Sequence, residues 1–309
     1  MHVLIAGGTG FLGKPLIKEL QAGGHRVTVL TRSPDGARRA LGQAGLVGTL
    51  PDHDVAIAAW TDLAGALRGV DGVVNLAGAS IGEGRWTPQR KAELVDSRLS
   101  STRAIVSALG RVEPRPKVLV NASAVGYYGD RAEKVDEGSA PGGDFLAGLC
   151  QKWEEFAEGA TSSGVRVVRV RTGVALAKDG GALSRMLLPF KLFAGGPMGS
   201  GRQGFPWVHR ADVVGLIRFA LEHDEVSGPL NAVAPDMVDN AGFSRALGRA
   251  LHRPSWLPLP GFALRLALGE MAGPLLLSGQ FVRPAAAEKF GYHWRFPKLV
   301  GALDDLFRQ

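Results

Sequence analysis

The sequence predicts an α/β protein with a doubly wound parallel-sheet Rossmann fold and a smaller C-terminal substrate lobe. Two observations predict this fold class. A glycine-rich turn separates a short apolar run from a helical pattern at the start of the chain, and β-branched runs then alternate with helical segments. Such alternation is typical of a parallel sheet with helices on both faces.

The glycine-rich turn is the most informative segment. The apolar run from Val3 to Ala6 leads into Gly7-Gly8-Thr9-Gly10-Phe11-Leu12-Gly13 and then into a helix. Gly10 lacks a side chain where a pyrophosphate must approach the backbone, and Gly13 lets the helix pack close to its strand. Free N–H groups and the helix dipole would hold the phosphates. The turn therefore predicts a dinucleotide site that includes Gly7, Thr9, Gly10, Phe11, Leu12 and Gly13.

The end of the next strand indicates which dinucleotide binds. Sites that prefer NAD usually carry Asp or Glu at this position, whereas this chain has Arg32 followed by Ser33. A guanidinium group suits the geometry of a 2′-phosphate, and Arg38 and Arg39 follow as helpers. We therefore expect NADP as the cofactor. The alternative is that Arg32 is only a solvated loop cation.

Composition limits the classes of protein. The 309 residues, 45% hydrophobic and 21% charged, can bury a large core. Cys150 is the only cysteine, so no internal disulfide forms and we expect a cytoplasmic protein. The start lacks the basic region and long apolar run of a signal peptide. The apolar stretch from Gly261 to Leu277 is interrupted by charges and proline, so we expect packed helices there.

The charge pattern limits the partners. The net charge is +7, but Lys and Arg are dispersed and no basic run is interleaved with aromatic residues. We therefore expect neither nucleic acid nor a membrane as a partner. The expected partner is a small-molecule substrate of unknown identity, and a homodimer is left open.

The change in composition past Arg171 indicates the domain boundaries. Gly- and Pro-rich segments begin there, and a helix and strand pattern returns later. We expect residues 1–174, completed by about 205–233, to form the NADP-binding Rossmann domain. Residues 175–204 and 234–309 would form the substrate lobe.

The carboxyl ends of parallel strands face the cofactor crevice. Three apolar runs end in short polar or small residues, beginning at Ala77, Ser123 and Thr172. We expect the cofactor to contact the residues Ala77, Gly78, Ala122 and Thr172.

The motifs of the chain occur in the order found in the extended short-chain dehydrogenase/reductases. These motifs are GGTGFLG, Asn75-Leu76-Ala77-Gly78, Asn121-Ala122-Ser123 and Trp207-Val208-His209-Arg210-Ala211-Asp212. More narrowly, the chain resembles an atypical epimerase-like family within the NAD-dependent epimerase/dehydratase superfamily, often labelled cell-division-inhibitor-like. Further segments that support this are Asp96-Ser97-Arg98, Gly126-Tyr127-Tyr128-Gly129 and Gly201-Arg202-Gln203.

The chain departs from the short-chain dehydrogenases at their catalytic pair. Short-chain dehydrogenases carry a Tyr-x-x-x-Lys pair that moves a proton and holds the ribose. This chain has no such pair; Leu146 and Cys150 stand at the matching positions, and Arg98 stands where Asn is usual. The resemblance places Cys150 near the cofactor ribose, where we expect a packing residue and no nucleophile.

Four residues are candidates for the chemistry: Ser123, Tyr127, Tyr128 and Arg98. Ser123 would orient the substrate, and one of the tyrosines would replace the missing proton donor; the alternative for both tyrosines is aromatic packing. Arg98 would bind a substrate carboxylate or phosphate, or else form a structural ion pair. We expect His209 to contact the lobe at a helix start, and no cluster with the spacing of metal ligands is present.

The sequence therefore predicts an NADP-binding, epimerase-like oxidoreductase with an unknown substrate. The alternative is a non-catalytic protein on the same fold that senses NADP(H) or binds a partner.

Overall fold

A computed structural model describes residues 1–47 and 55–307. The described strands are, in chain order, β1 (His2–Ala6), β2 (Arg26–Thr31), β3 (Ala56–Ala59), β4 (Gly72–Asn75), β5 (Val118–Ala124), β6 (Lys134–Val135), β7 (Arg166–Thr172), β8 (Val174–Leu176), β9 (Gly204–Phe205), β10 (Trp207–His209), β11 (Gly228–Ala232), β12 (Val238–Asp239) and β13 (Phe281–Val282). The described α-helices are α1 (Gly13–Ala22), α2 (Pro34–Gly42), α3 (Leu63–Ala66), α4 (Pro88–Leu109), α5 (Phe145–Glu158), α6 (Gly181–Lys191), α7 (Arg210–Glu222), α8 (Asn240–Ala250), α9 (Gly261–Leu268), α10 (Ala285–Lys289) and α11 (Leu299–Phe307).

Seven strands form one parallel sheet in the order β3-β2-β1-β4-β5-β7-β11. The order reverses between β1 and β4, where Ala6 lies opposite Asn75. Ligands of doubly wound sheets bind at the carboxyl ends of the strands beside such a reversal. The Rossmann class predicted from the sequence is confirmed.

Apolar side chains from the strands alternate between two helical layers. One layer contains α1 and α7, whose Leu16, Leu20 and Ile217 pack on Val3 and Val29. The other contains α4 and α5 over the opposite face. Burial on both faces explains why the sequences of β1 and β4 are mostly apolar.

Where the sequence contains a capping residue, the predicted start of the helix agrees with the structure. Thr87 accepts a hydrogen bond from the Arg90 N–H at 3.1 Å, with Pro88 as the first residue of α4, as the sequence indicated. Helix α1 begins at Gly13, one residue after Leu12, because the phosphate-binding turn continues to that position.

A further apolar cluster lies among α6, α8 and α11, with Phe205 stacked on Phe243 at a centroid distance of 4.0 Å. Asp212 of α7 links the C-terminal segment to the helix that packs on the sheet. Its carboxylate accepts hydrogen bonds from the backbone N–H groups of Arg295 and Phe296. Helix α7 packs on the sheet and β11 forms its edge. The predicted boundaries between two domains stay a prediction.

The segment from Gly261 to Leu277 differs in part from expectation. It is helical, with a π-helical turn from Gly273 to Leu277, but α9 buries none of its residues. The described part of the chain has no helix both long and apolar enough to cross a membrane.

Candidate cofactor and substrate site

The turn between β1 and α1 requires glycine at two positions. Gly7 has φ +83°, and a Cβ there would lie 2.8 Å from the Leu76 carbonyl group. A Cβ on Gly13 would lie 2.5 Å from the carbonyl carbon of Gly8. Gly10 is exposed, and a Cβ there would meet only the Gly7 carbonyl, at 3.2 Å. The space beside Gly10 is therefore open to a ligand.

The backbone of this turn presents free donors. The Gly10 N–H donates to Gly7, and the Lys14 N–H donates to Gly10. Between them, the N–H groups of Phe11 and Leu12 donate to no acceptor within the described residues. Unpaired N–H groups at a helix N-terminus are suited to a pyrophosphate, so the turn fits the phosphates of a dinucleotide.

Arg32 follows the last residue of β2, as predicted. Its side chain is exposed and forms no ion pair within the described residues. Ser33 caps the N-terminus of α2, because its hydroxyl accepts a hydrogen bond from the Gly36 N–H at 3.3 Å. Arg38 and Arg39 are also exposed on α2. Arg32 thus lies at the strand end where a 2′-phosphate would bind, and Arg38 and Arg39 are exposed on the helix that follows.

Buried amides fix the crevice wall after β4. Asn75 donates to Asn121 Oδ1 at 2.7 Å and to Thr102 Oγ1 at 2.9 Å, and its own oxygen accepts from the Ala77 N–H. These contacts hold Ala77 and Gly78 beside the strand end. The sequence motif contained Asn75, but its function as the clamp of this segment was not predicted.

Arg98 lies against Gly78, where a Cβ would approach its side chain to 3.1 Å. Its guanidinium lies 5.1 Å from the ring centroid of Trp153 and donates to the Leu94 carbonyl of its own helix. Burial lowers the pKa of Arg98, but a guanidinium remains charged at neutral pH. Arg98 has no carboxylate partner within the described residues, so the structural ion pair considered from the sequence is not formed.

Ser123 belongs to a buried polar network. Its hydroxyl donates to Glu154 Oε1 at 2.6 Å. Arg171 binds both carboxylate oxygens of Glu154 through Nε and Nη2, at 2.8 Å each. Arg171 lies directly opposite Ser123 in the β5–β7 register. All three side chains are at most 4% exposed. The ion pair between Arg171 and Glu154 therefore compensates for the hydration that both charges lose on burial.

Tyr128 extends this network and is wholly buried. Its hydroxyl donates to Asn231 Oδ1 at 2.7 Å and accepts from Arg171 Nη1 at 3.0 Å. Burial raises the pKa of Tyr128 to about 12. With its proton engaged and no exposed surface, Tyr128 has the contacts expected from the packing alternative considered from the sequence.

Tyr127 is placed differently. Its ring is half-buried with the Arg171 guanidinium 3.5 Å from the centroid, and it meets Tyr128 edge to face. Its hydroxyl makes no hydrogen bond within the described residues. Of the two tyrosines, only Tyr127 therefore retains a hydroxyl that can contact a substrate.

The positions of the missing pair lie on one face of α5. Leu146 packs in an apolar cluster with Trp86, Leu94 and Met271. Cys150, one turn further on, is 3% exposed. Burial raises the pKa of the Cys150 thiol to about 12, with the Glu154 carboxylate adding to the effect. A protonated thiol is a poor nucleophile, which is consistent with a packing function.

The other predicted contacts lie around the same edge. Ala122 and Thr172 are half-buried at the carboxyl ends of β5 and β7. Thr9 is half-buried in the phosphate turn. His209 caps α7 by accepting from the Ala211 N–H, and its ring packs on Phe296. Among residues 1–47 and 55–307, no group of three or more His, Cys, Asp or Glu side chains could hold a metal ion.

Sequence reasoning missed Glu154 and Arg171. Both were recognisable in principle. Glu154 continues the four-residue spacing of Leu146 and Cys150, and Arg171 interrupts a β-branched strand just before its carboxyl end. A charge at a position expected to be buried requires a partner, and this chain supplies one for each.

Comparison with known proteins supports the same family. The model of the NAD dependent epimerase/dehydratase family matches residues 3–148, and that of a domain of unknown function, DUF1731, matches residues 259–306. The Arabidopsis thaliana "Epimerase family protein SDR39U1 homolog, chloroplastic" is 42% identical over 98% of this chain and 86% of its own length. Human "Epimerase family protein SDR39U1" is 38% identical over 99% of both chains.

Solved structures agree. A crystal structure of the human SDR39U1 protein with NADPH superposes with a TM-score of 0.89, at 38% identity and over the whole of both chains. UDP-N-acetylglucosamine 4-epimerase from Bacillus cereus, at 17% identity and a TM-score of 0.75 over 99% of this chain and 98% of that one, shares the fold. The identity with the plant and human relatives over nearly the whole chain shows that this protein belongs to the epimerase family of extended short-chain dehydrogenase/reductases that includes SDR39U1.

Proposed function

We propose that the protein binds NADP(H) in the crevice at the carboxyl ends of β1, β4 and β5 and acts there as an epimerase-like oxidoreductase. The observation that carries the proposal is the turn from Gly7 to Gly13, with its close-packed glycines and two free N–H groups. The human relative with 38% identity was crystallised with NADPH, which agrees with the cofactor predicted from Arg32.

The proposed contacts follow the crevice. The pyrophosphate lies over Gly10 and takes the N–H groups of Phe11 and Leu12. The 2′-phosphate pairs with Arg32, and the segment Ala77–Gly78 forms the wall on the β4 side. When bound, the cofactor supplies a hydride donor or acceptor at its nicotinamide ring.

Ser123 and Glu154 supply the proton chemistry in this proposal. Because Ser123 donates its own proton to Glu154, its oxygen presents lone pairs and accepts a hydrogen bond from a substrate hydroxyl. A proton leaving that hydroxyl moves to Ser123 Oγ as the serine proton moves to Glu154. Arg171 holds the carboxylate in place through two hydrogen bonds. Tyr127 contacts the substrate with its free hydroxyl.

Arg98 sets the class of substrate in this proposal. Its guanidinium is half-buried, is oriented by Trp153 and lacks a carboxylate partner in the described part of the chain. Such a group binds a carboxylate or phosphate strongly. The substrate would therefore carry an anionic group near the hydroxyl or carbonyl that reacts.

A second candidate function is a non-catalytic NADP(H) sensor. The observation that favours it is the apolar cluster around Leu146, which occupies the position where the related dehydrogenases place their proton donor. Both candidates require the same cofactor site, and they differ only in turnover.

One experiment tests both the cofactor site and the proposed turnover. Titration with NADPH and NADH should show tighter binding of NADPH, and binding of neither would overturn the cofactor site. Absorbance at the nicotinamide band is then followed with a panel of anionic carbonyl compounds, including nucleotide sugars. Turnover that Ser123→Ala abolishes supports the oxidoreductase; cofactor binding without turnover across the panel supports the sensor.

A further inference from the structure

Exposed apolar side chains are concentrated on one part of the C-terminal region. Eight of the ten large hydrophobic residues that are exposed in the described chain lie between residues 188 and 266. Leu188, Leu192 and Phe193 at the end of α6 are 58–68% exposed, and Trp256 is 71% exposed. Phe262 and Leu266, one turn apart on α9, are 77% and 80% exposed.

Backbone hydrogen bonds bring two of the segments that carry these side chains together. The Leu257 N–H donates to the Gly195 carbonyl at 3.3 Å, and the Leu259 N–H donates to Pro197 at 2.9 Å. The segment after α6 therefore runs alongside the segment that leads into α9. We call the surface formed by Leu188, Leu192, Phe193, Trp256, Leu257, Phe262 and Leu266 the apolar patch.

Helix α9 leaves most of its apolar surface uncovered. It is strongly apolar in sequence, yet none of its eight residues is buried. A helix of a globular domain normally buries its apolar stripe against the core. Large contiguous apolar surfaces of this kind mark sites that contact a protein or a membrane.

A basic cavity borders the apolar patch. Its volume is about 530 Å³, and it is lined by Arg245, Arg249, His252 and Arg253 with the backbone of Gly248 to Ser255. The three guanidinium groups have no carboxylate partner within the described residues. Arg253 lies 4.7 Å from the ring centroid of Phe193, so the basic cavity and the apolar patch are in contact.

We propose that the apolar patch and the basic cavity together dock the protein onto an anionic lipid surface. The unpaired arginines take phosphate headgroups, and Trp256, Phe262 and Leu266 enter the boundary between headgroups and acyl chains. Exposed aromatic and aliphatic side chains beside basic residues are the features of such interfacial binding. No helix crosses the bilayer in this arrangement.

Charge and shape favour a lipid surface over other occupants. A second copy in a two-fold contact would bring the same arginines together, because an isologous interface pairs each patch with itself. An acidic amphipathic helix requires a groove for its apolar face, whereas here the apolar side chains protrude. The sequence did not predict this surface, because its residues lie in three separate segments, 188–193, 245–257 and 262–266.

The test is co-sedimentation of the full chain with phosphatidylcholine vesicles, with and without phosphatidylglycerol. We expect binding only to vesicles that contain phosphatidylglycerol, weakened by salt because exposed charges are screened. Arg245→Gln/Arg249→Gln/Arg253→Gln should weaken binding roughly a hundredfold, since one basic residue near an anionic surface contributes about 1 kcal/mol, or about fivefold. If that variant fails to fold, Arg249→Gln alone should show the fivefold loss.

The apolar half is tested separately with Phe262→Ser/Leu266→Ser and Trp256→Ser, which should each weaken vesicle binding more than about fivefold. Arg68→Gln/Arg111→Gln and Val300→Ser are the matched controls, because these residues are exposed and lie outside the patch and the cavity. Both controls should bind vesicles as the unaltered protein does. NADPH affinity, measured for every variant, reports on folding and on the cofactor site independently of the vesicle result.

Three outcomes would overturn the proposal. The first is no binding to phosphatidylglycerol vesicles, which would leave an acidic protein as the partner to seek. The second is loss of binding in the control variants as large as in the patch variants. The third is inorganic phosphate binding to the basic cavity as tightly as vesicles do, with the serine variants unaffected, because that result would indicate a site for a soluble anion.

Discussion

At the scale of single residues, the environment of a side chain decides what it can do more than its type does. Tyr127 and Tyr128 are neighbours in the chain, yet one hydroxyl is free and the other is held by Asn231 and Arg171. Cys150 stands where related enzymes carry lysine, but burial keeps its thiol protonated. The sequence favoured packing for Cys150, but it offered both tyrosines as proton donors and could not distinguish them, because burial and hydrogen bonding arise from distant segments.

Arg32→Asp should remove the preference for NADPH over NADH. The variant loses a charge-assisted contact to the 2′-phosphate, worth about 1.5–3 kcal/mol, and gains a carboxylate that can accept from a ribose hydroxyl. Titrations of both cofactors measure the change. An NADPH preference that survives in the variant would show that Arg32 is the solvated cation considered as the alternative.

Cys150→Ser should leave NADPH affinity within a few fold and should retain most of any turnover that the protein shows. The thiol is buried and protonated, and serine is of similar size with hydrogen-bond partners available in the Ala124 backbone and the Ser123 side chain. Binding and absorbance assays measure both quantities. Complete loss of turnover in a folded Cys150→Ser protein would make the thiol part of the mechanism.

At the scale of the element, the most specific local structure is the turn between β1 and α1. Its glycines were predicted for two different reasons, close packing and ligand access, and the structure separates them. Gly7 and Gly13 have no room for a side chain, whereas Gly10 faces open space. Helix caps were likewise predictable from sequence, because the Thr87 cap and Pro88 act on their own neighbours only.

Gly10→Val should weaken NADPH binding more than roughly tenfold while the protein stays folded. The new Cβ meets only one backbone oxygen at 3.2 Å, but its methyl groups occupy the path of the pyrophosphate, and even one lost charge-assisted hydrogen bond is worth about 1.5–3 kcal/mol. Isothermal titration measures the affinity, and thermal unfolding measures the fold.

Gly143→Val is the matched control for this substitution. Gly143 is also an exposed loop glycine without a left-handed φ, and a Cβ there meets nothing within 4 Å. It should bind NADPH normally. Equal affinity of Gly10→Val and the unaltered protein would place the cofactor elsewhere in the molecule.

At the scale of the whole molecule, the sequence predicted the fold class, because each strand, turn and helix carries its own periodicity. It did not predict the Ser123–Glu154–Arg171–Tyr128 network, which joins β5, α5, β7 and the segment before β6. Glu154 and Arg171 are 17 residues apart, and Tyr128 and Asn231 are 103 apart. Periodicity within an element carries no information about such pairings.

The ion pair of this network gives the last prediction. Glu154→Leu and Arg171→Met should each destabilise the protein by about 3–5 kcal/mol, because each leaves one charge buried without its partner. The double variant Glu154→Leu/Arg171→Met should regain most of that stability, since apolar replacement of a buried ion pair is often neutral or better. Denaturant unfolding of the two single variants and the double variant measures the coupling energy.

NADPH affinity of the same double variant separates structure from chemistry. The network lies beyond the phosphate turn, so we expect the double variant to bind NADPH within a few fold of the unaltered protein. Any turnover should be lost, because Ser123 no longer has a carboxylate to receive its proton. A stable double variant that retained full turnover would show that Glu154 serves the fold alone and that the proton leaves the substrate by another route, for which Tyr127 is the remaining hydroxyl.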